Sequence, residues 1–551
     1  MTITSCEARN EQTKTALEKR FERSDYLYML LVLAVGLLSY VPWLGSYGLL
    51  DPTDSFFLES GRELLEKNEF LLPLNNYVPW LDKPILFFWM VAYSFKFFGI
   101  STFVGRLPAA LSAVATGLIL YCACRPILKK WAAALAALIF MSAPLASIIG
   151  HVCLTDMTLC ALIAGSNLFL FKGLQFQSNR NLITGYIFLG LALLCKGPIA
   201  IILCGLAFLP YLISISKNKA EFFQNVLDLK PLIGGAIVLL LNMPWYVMAT
   251  IATNGRFLVD FFITQNFGRM VGTVNHQGPF YFYIPVFFGG FFPWWTLCLS
   301  AAGLFKKTVG RKFDEPSTFR RLLRLCFFWF ITVMALFSAI KTKLPTYILP
   351  ALPAFAILIA MQMQLSSSSK SLKRFIPSMA LVTITLIVGL AITPSLKGYV
   401  RDIFLQNIWI GAPLVVSLIV GWFGIANNQF KAMIASILLC SLIACGLLVP
   451  RGLQAFYKAR QIGFSRLVAR ARDDKASISM VFAEEPSVPW ITHKPVSRLM
   501  NKEDAQKYLR STARPHYVLV QTAAMPRLSW FPGTPKLIVE EQKWHLYSVD
   551  Q

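Results

Sequence analysis

Acidic and basic side chains flank the apolar runs of this chain, and their types point to one kind of chemistry. Asp51 and Asp54 fall in "LLDPTDSFF", Asp82 and Lys83 in "LDKPILFFW", Asp156 in "VCLTDMTL" and Lys196 in "LCKGP". Arg269 falls in "QNFGRM", and Lys341 and Lys343 in "IKTKLPTYI". Charge at membrane depth is costly, so charges kept there are candidates for function. Cations stabilise a phosphate or a departing phosphate oxyanion, and a carboxylate accepts a proton from an attacking hydroxyl. Each residue also has a plainer role open to it. Asp156 after Thr155 suits a helix N-cap, Lys196 suits a lipid headgroup contact, and Arg269 suits a solvated loop. Asp51 and Asp54 suit a simple break after the first apolar run. What those separate roles leave unexplained is the gathering of carboxylates and cations from five loops.

The elements that must position these residues are membrane helices. Of 551 residues 56% are hydrophobic and 15% charged, more apolar surface than a soluble fold can hide. The formal net charge of +24 invites a nucleic-acid reading. Membrane proteins, however, concentrate Lys and Arg in cytoplasmic loops, and that accounts for it. Spanning-length apolar runs centre on about 27–47, 104–124, 131–149, 155–172, 181–195, 197–215 and 231–251. Six more centre on about 281–304, 322–340, 345–364, 375–396, 405–424 and 431–449, so the expectation is an all-α polytopic protein with about 13 transmembrane helices.

A fourteenth candidate, Leu81 to Gly99, decides which side the charges face. If it does not span, Arg125, Lys129, Lys130, Lys172, Arg180 and most later loop cations share a side with the N-terminal tail, as the positive-inside rule asks. If it spans, those loops separate from the tail. Seven of the seventeen residues from Lys83 to Gly99 are aromatic, a mixture that favours the membrane interface. The expectation is a surface helix over 83–99. The tail 1–26 is then cytoplasmic, and the loop 48–103 and everything after about residue 450 are external. Ten charges precede Tyr26, which reads as an uncleaved signal anchor.

Residues 451–551 change character. Strand-like runs at 477–483, 516–522 and 535–541 and a helical run near Glu503–Arg510 predict a small external α/β domain following a membrane domain over 27–450. The eleven cysteines lie mostly in apolar runs, none beyond Cys445, and show neither a disulfide framework nor zinc spacing. Nucleotide-activated donors are not expected outside the cytoplasm. A donor acting there is therefore carried by lipid, such as a sugar on a polyprenyl phosphate. A transporter or flippase is the rival class, but transporters place their charges near the midplane between repeats, and these lie at helix ends.

Several longer stretches carry a family resemblance: "ESGRELL" (59–65), "LDKPILFFW", "LTDMTL", "LCKGPIA", "NMPWYV" (242–247), "HQGPFYFYIPVFFGGFFPW" (276–294) and "KTKLPTYILP" (341–350). Over roughly Leu49 to Ala360 the chain resembles the lipid A aminoarabinose transferases and their relatives among the protein O-mannosyltransferases. These are polyprenyl-phosphate-dependent glycosyltransferases of the GT-C fold. The resemblance implies thirteen spans, periplasmic surface helices and a periplasmic C-terminal domain in a bacterial inner membrane. It implies that Lys83, Arg269, Lys341, Lys343 and Tyr347 surround the lipid phosphate. Asp156, a further catalytic candidate, would line the site with Asp82, Lys196 and His276. It departs from the family at the acidic motif, where Thr53 and Asp54 stand under an Asp-Glu pair and Phe56 under an Arg. The catalytic acid is then Asp54, or Asp51 three residues earlier. Asn266 stands where a His is frequent.

The expected reaction is transfer of a sugar, 4-amino-4-deoxy-L-arabinose or a similar one, from its polyprenyl phosphate to lipid A. The alternative acceptors are protein and another envelope glycan. A divalent cation between Asp82 and Asp156 is compatible with these residues and is not required by them.

Overall fold

In a computed structural model, each of the thirteen apolar runs contains helix. The structure describes residues 22–268, 277–300, 317–367, 372–392, 411–483, 485–512, 515–525, 531–532, 534–541 and 543–550. Among them, six helices are long and apolar enough to cross a membrane: Thr102–Cys124, Thr155–Gln175, Lys219–Ala252, Ser317–Ala339, Pro345–Ser366 and Phe430–Arg460. A seventh forms if Lys130–Met141 and Pro144–Gly150, bent by 64°, count as one span. Pro144 starts the second of that pair, where a missing N–H is tolerated. Among the described residues the other runs hold shorter helical stretches, among them Ile199–Ile215 and Gly411–Ala426. This is a multi-pass membrane protein.

Leu81–Gly99 forms a helix only over Leu86–Phe98. Thirteen residues rise about 20 Å, short of the ~30 Å hydrocarbon core. Phe88, Val91, Ala92 and Phe95 are buried at helical spacing, while Tyr93, Phe97 and Phe98 are exposed.

The chain forms two compact units that do not follow chain order. The first comprises Met1–Pro42, Leu81–Phe87 and Pro108–Pro450. The second comprises Trp43–Trp80, Phe88–Leu107 and Arg451–Gln551. Most of the loop 48–103 thus belongs with the C-terminal segment.

In the first unit, Thr155–Gln175 and Asn179–Lys196 form an antiparallel helical hairpin. A Cβ on Gly185 would lie 2.8 Å from the Leu170 backbone nitrogen, so glycine permits the close approach. Both helices are about 30 Å long. The start of one therefore meets the end of the other, which brings Asp156 level with Lys196.

In the second unit, helix Thr53–Lys67 is followed by a hairpin of β1 (Leu74–Asn75) and β2 (Val78–Pro79). The C-terminal segment folds into a five-stranded sheet: β3 (Ser477–Val481), β4 (Ser497–Leu499), β5 (His516–Gln521), β6 (Thr534–Glu541) and β7 (Trp544–Asp550). Their order is β4-β3-β5-β7-β6, with β3 parallel to β4 and β5 and the β5–β7 and β6–β7 pairs antiparallel. Alternation puts Ile478, Met480, Leu519 and Leu546 against Phe464, Leu467, Val468 and Ala471 of helix Ile462–Asp473. Val481, Val518, Val520 and Val549 face Ala505, Tyr508 and Leu509 of helix Lys502–Ser511. Asn501 caps the latter by accepting from Asp504 N at 2.8 Å.

Helix Thr53–Lys67 buries charge. Arg62, fully buried, pairs with Glu59 and Glu66 and donates to the Tyr77 hydroxyl at 3.0 Å. Glu63, also buried, accepts from Tyr77 N at 3.0 Å. Burial and the neighbouring Glu59 push the Glu63 carboxyl up to about 8 from 4.5. Below pH 4.5 folded and unfolded chains both hold this proton. As pH rises toward 8 the unfolded chain releases it first, so stability is lost across that window. Glu63→Gln is expected to flatten this slope and to raise Tm at pH 8 relative to the parent, with little change at pH 5, by thermal unfolding of the solubilised protein.

Candidate active site

A cavity of about 350 Å³ opens within the first unit. Asp82, Lys83, Asp156, Lys196, Gln265 and Tyr347 supply its polar lining, and Ile199, Ile202, Phe261, Phe262, Leu336 and Phe337 most of the apolar remainder. Asp156 lies in the first turn of its helix, where the dipole favours an anion, and Lys196 in the last turn of its own, where it favours a cation. Lys196 Nζ donates to Asp156 Oδ1 at 2.7 Å. The Thr346 side chain also bonds Asp156, and the Lys83 charge acts on it. Lys196 Nζ lies 5.3 Å from the Tyr347 ring centre, a cation–π distance.

The "LCKGP" motif builds this corner. Gly197 has φ +83°, a conformation that disfavours any side chain, and a Cβ there would sit 2.4 Å from Phe261. The helix therefore ends at Lys196, and the next begins after Pro198. Asp156 does not cap its helix; the N-cap is Leu154, without a side-chain bond.

Lys343 is turned to other work. Its ammonium donates to the carbonyls of Phe337 at 2.8 Å, Ser338 at 2.7 Å and Ile340. Those acceptors match its three protons and finish the C-terminal turn of Ser317–Ala339. Lys341 is exposed and outside the cavity lining. Arg269 and His276 lie outside the described residues.

Asp51 and Asp54 belong to the second unit. Asp54, fully buried, accepts from Arg106 Nε at 3.2 Å and also pairs with Arg106 Nη2. Arg106 donates further to the carbonyls of Leu44 at 2.6 Å, Tyr47 at 3.0 Å and Gly48 at 2.6 Å. The Leu50 N–H also donates to Asp54 Oδ2 at 3.3 Å. Asp51 accepts from the hydroxyls of Ser55 and Ser487 and from Ser487 N at 3.2 Å. Burial pushes its carboxyl up, opposed by those hydrogen bonds.

Three contributors escaped the sequence reading. Arg106 carried a signal, since a charge inside the apolar run 104–124 calls for a partner. Thr346 lies within "LPTYI", and Gln265 carried no signal. Asp82 and Asp156 both line the cavity, and among the described residues no three His, Cys, Asp or Glu side chains are placed to share a metal ion.

A helical membrane unit and a second unit holding a small mixed sheet define a protein of the GT-C glycosyltransferase fold. Residues 82–248 match the family model described as dolichyl-phosphate-mannose-protein mannosyltransferase. An undecaprenyl phosphate-alpha-4-amino-4-deoxy-L-arabinose arabinosyl transferase of Enterobacter sp. (strain 638) is 28% identical over 360 residues, covering 64% of this chain and 62% of the relative. A Pseudomonas fluorescens protein of the same description is 25% identical over 494 residues, 87% of this chain and 81% of its own. The chain spans 62%, 58% and 60% of the Enterobacter, Serratia and Proteus relatives. The crystal structure of ArnT from Cupriavidus metallidurans bound to undecaprenyl phosphate superposes with a TM-score of 0.78 at 19% identity, covering 96% of this chain and 98% of that one. In sequence the chain is similar to the undecaprenyl phosphate-aminoarabinose arabinosyl transferases and, over 82–248, to the protein mannosyltransferases, and in fold it is similar to ArnT.

Arg106→Ala is expected to destabilise the protein by about 3–5 kcal/mol, because it strands the buried Asp54 carboxylate. Arg106→Met combined with Asp54→Leu should recover most of that loss in thermal unfolding.

Proposed function

We propose that the protein transfers a sugar from an undecaprenyl-phosphate-linked donor to an envelope acceptor, with 4-amino-4-deoxy-L-arabinose and lipid A as the pair that best fits its relatives. The observation that carries this reading is the cavity that joins Lys83 and Lys196 to an apolar wall. A polyprenyl tail needs the wall, and its phosphate needs the cations. The acceptor oxygen attacks the anomeric carbon, the bond from that carbon to the phosphate oxygen breaks, and the lipid phosphate leaves with the electron pair. Lys83 and Lys196 receive the developing anion. Asp82 is the carboxylate we assign to the acceptor. It takes the proton of a hydroxyl acceptor, or holds the sugar's amine when the acceptor is an ionised phosphate. Asp156 orients Lys196 through their ion pair. Asp54 and Asp51, the acids expected from the sequence, we assign to anchoring, because Arg106, Ser55 and Ser487 occupy them.

In this reading the thirteen helical runs cross a bacterial inner membrane and the helix Leu86–Phe98 lies on its outer surface. The cavity and the C-terminal segment then face the periplasm. A second reading, transfer of lipid-linked mannose to protein or another glycan, is favoured by the family match over 82–248, which includes Lys83, Asp156 and Lys196.

Proteoliposomes with radiolabelled undecaprenyl-phosphate aminoarabinose and lipid A test the assignment. Label is expected to move to lipid A. Lys83→Ala and Asp82→Asn are expected to lower kcat roughly 10²–10³-fold. Label that moves only from a mannose donor to protein would transfer the case to the second reading. For orientation, a maleimide applied to intact spheroplasts is expected to label Lys341→Cys and to reach Lys219→Cys only after permeabilisation. The reverse pattern would overturn the proposed topology.

A further inference from the structure

The second unit holds a cavity of its own, about 250 Å³, that the transfer chemistry above leaves unused. One wall is the β1–β2 hairpin and Trp80; the other is edge strand β4 with the loop and short helix that follow β3. The hairpin tip is rigidly held. Asn76 and Tyr77 take φ +54° and +62°, as a two-residue hairpin turn requires, with no glycine to ease it. A bulky residue stays in that region only when its surroundings overdetermine it. Tyr77 is fixed by Arg62 at 3.0 Å, Glu66 at 3.1 Å and Glu63 at 3.0 Å. The Asn76 amide pairs with the backbone of the residue before β4, donating to Val496 O at 2.8 Å and accepting from Val496 N at 2.7 Å. The walls are thus preorganised.

The lining between them is mixed. Trp80 offers an aromatic face; Asn75, Glu485 and Ser497 offer amide, carboxylate and hydroxyl groups; Arg498 offers a guanidinium. Aromatic face plus dense hydrogen-bonding groups suits the C–H face and hydroxyls of a sugar ring. The guanidinium adds a fork for phosphate. The volume falls below the about 300–1,000 Å³ of drug-sized pockets, which fits a single ring. Basic residues outnumber acidic ones over 451–551, which favours an anionic ligand. We propose that this cavity binds one ring of a phosphorylated saccharide. Resting on the transferase reading, that ring is the headgroup of the acceptor.

Saturation-transfer difference NMR on the full-length solubilised protein tests this with glucosamine 1-phosphate as probe and glucosamine and inorganic phosphate as separate arms. The sugar phosphate is expected to bind more tightly than either fragment. Arg498→Ala is expected to weaken it by about tenfold or more, the worth of a charge-assisted hydrogen bond. Arg498 is exposed, and thermal unfolding of the variant checks that the fold is kept. Trp80 packs against Phe56 and Phe88, so the milder Trp80→Phe serves as the second variant. In the transfer assay, Arg498→Ala should raise the acceptor KM and leave the donor KM unchanged. No binding by the parent, phosphate binding as tightly as the sugar phosphate, or an unmoved affinity in Arg498→Ala would overturn the proposal. A parent that binds the probe but transfers no sugar would sink the transferase reading and leave this site standing.

Discussion

Charge at the end of an apolar helix must be answered by a counter-charge or by water, and the Asp156–Lys196 pair is how the first unit meets that demand. The antiparallel hairpin makes the pair possible, and the glycine contacts between its helices keep the ends level. Gly197 stops the second helix at the residue whose ammonium is needed. The cavity follows from this corner. Removing Lys196 would leave a buried carboxylate, so Lys196 is part of the structure of this corner.

The second unit obeys the same electrostatics with different partners. Asp54 is matched by Arg106, whose other donors bind three backbone carbonyls of the segment before it. Asp51 ties the start of the acidic motif to Ser487 in the C-terminal segment. Both acids of the "LLDPTDSFF" motif are thus enclosed by this unit's own hydrogen bonds.

Hydropathy made the membrane helices legible, because every spanning run must satisfy its backbone internally and so becomes helix. It could not fix the number of spans, since a run such as 197–215 folds as a helix of only seventeen residues. In the C-terminal segment β3, β5, β6 and the helix near 503–510 were readable from alternation and periodicity. β4, three residues long, is too short to show a period, and "WHLYSVD" of β7 mixes polar with apolar side chains. Charge at the ends of apolar runs brought Asp82, Lys83, Asp156 and Lys196 into one candidate set, the family resemblance added Tyr347, and the five line one cavity. Spacing could not reveal that Lys343 turns toward the carbonyls ending its preceding helix, or that Arg106 waits inside an apolar run for Asp54. Both are choices of side-chain direction, set by the nearest unsatisfied partner in space.

In the proposed reaction, lysines of the 350 Å³ cavity hold a lipid-borne phosphate. Native mass spectrometry of the solubilised protein with undecaprenyl phosphate tests it without any turnover. One bound lipid is expected on the parent, with loss of that adduct in Lys83→Met and its retention in Lys341→Met. An adduct that survives Lys83→Met unchanged would contradict it.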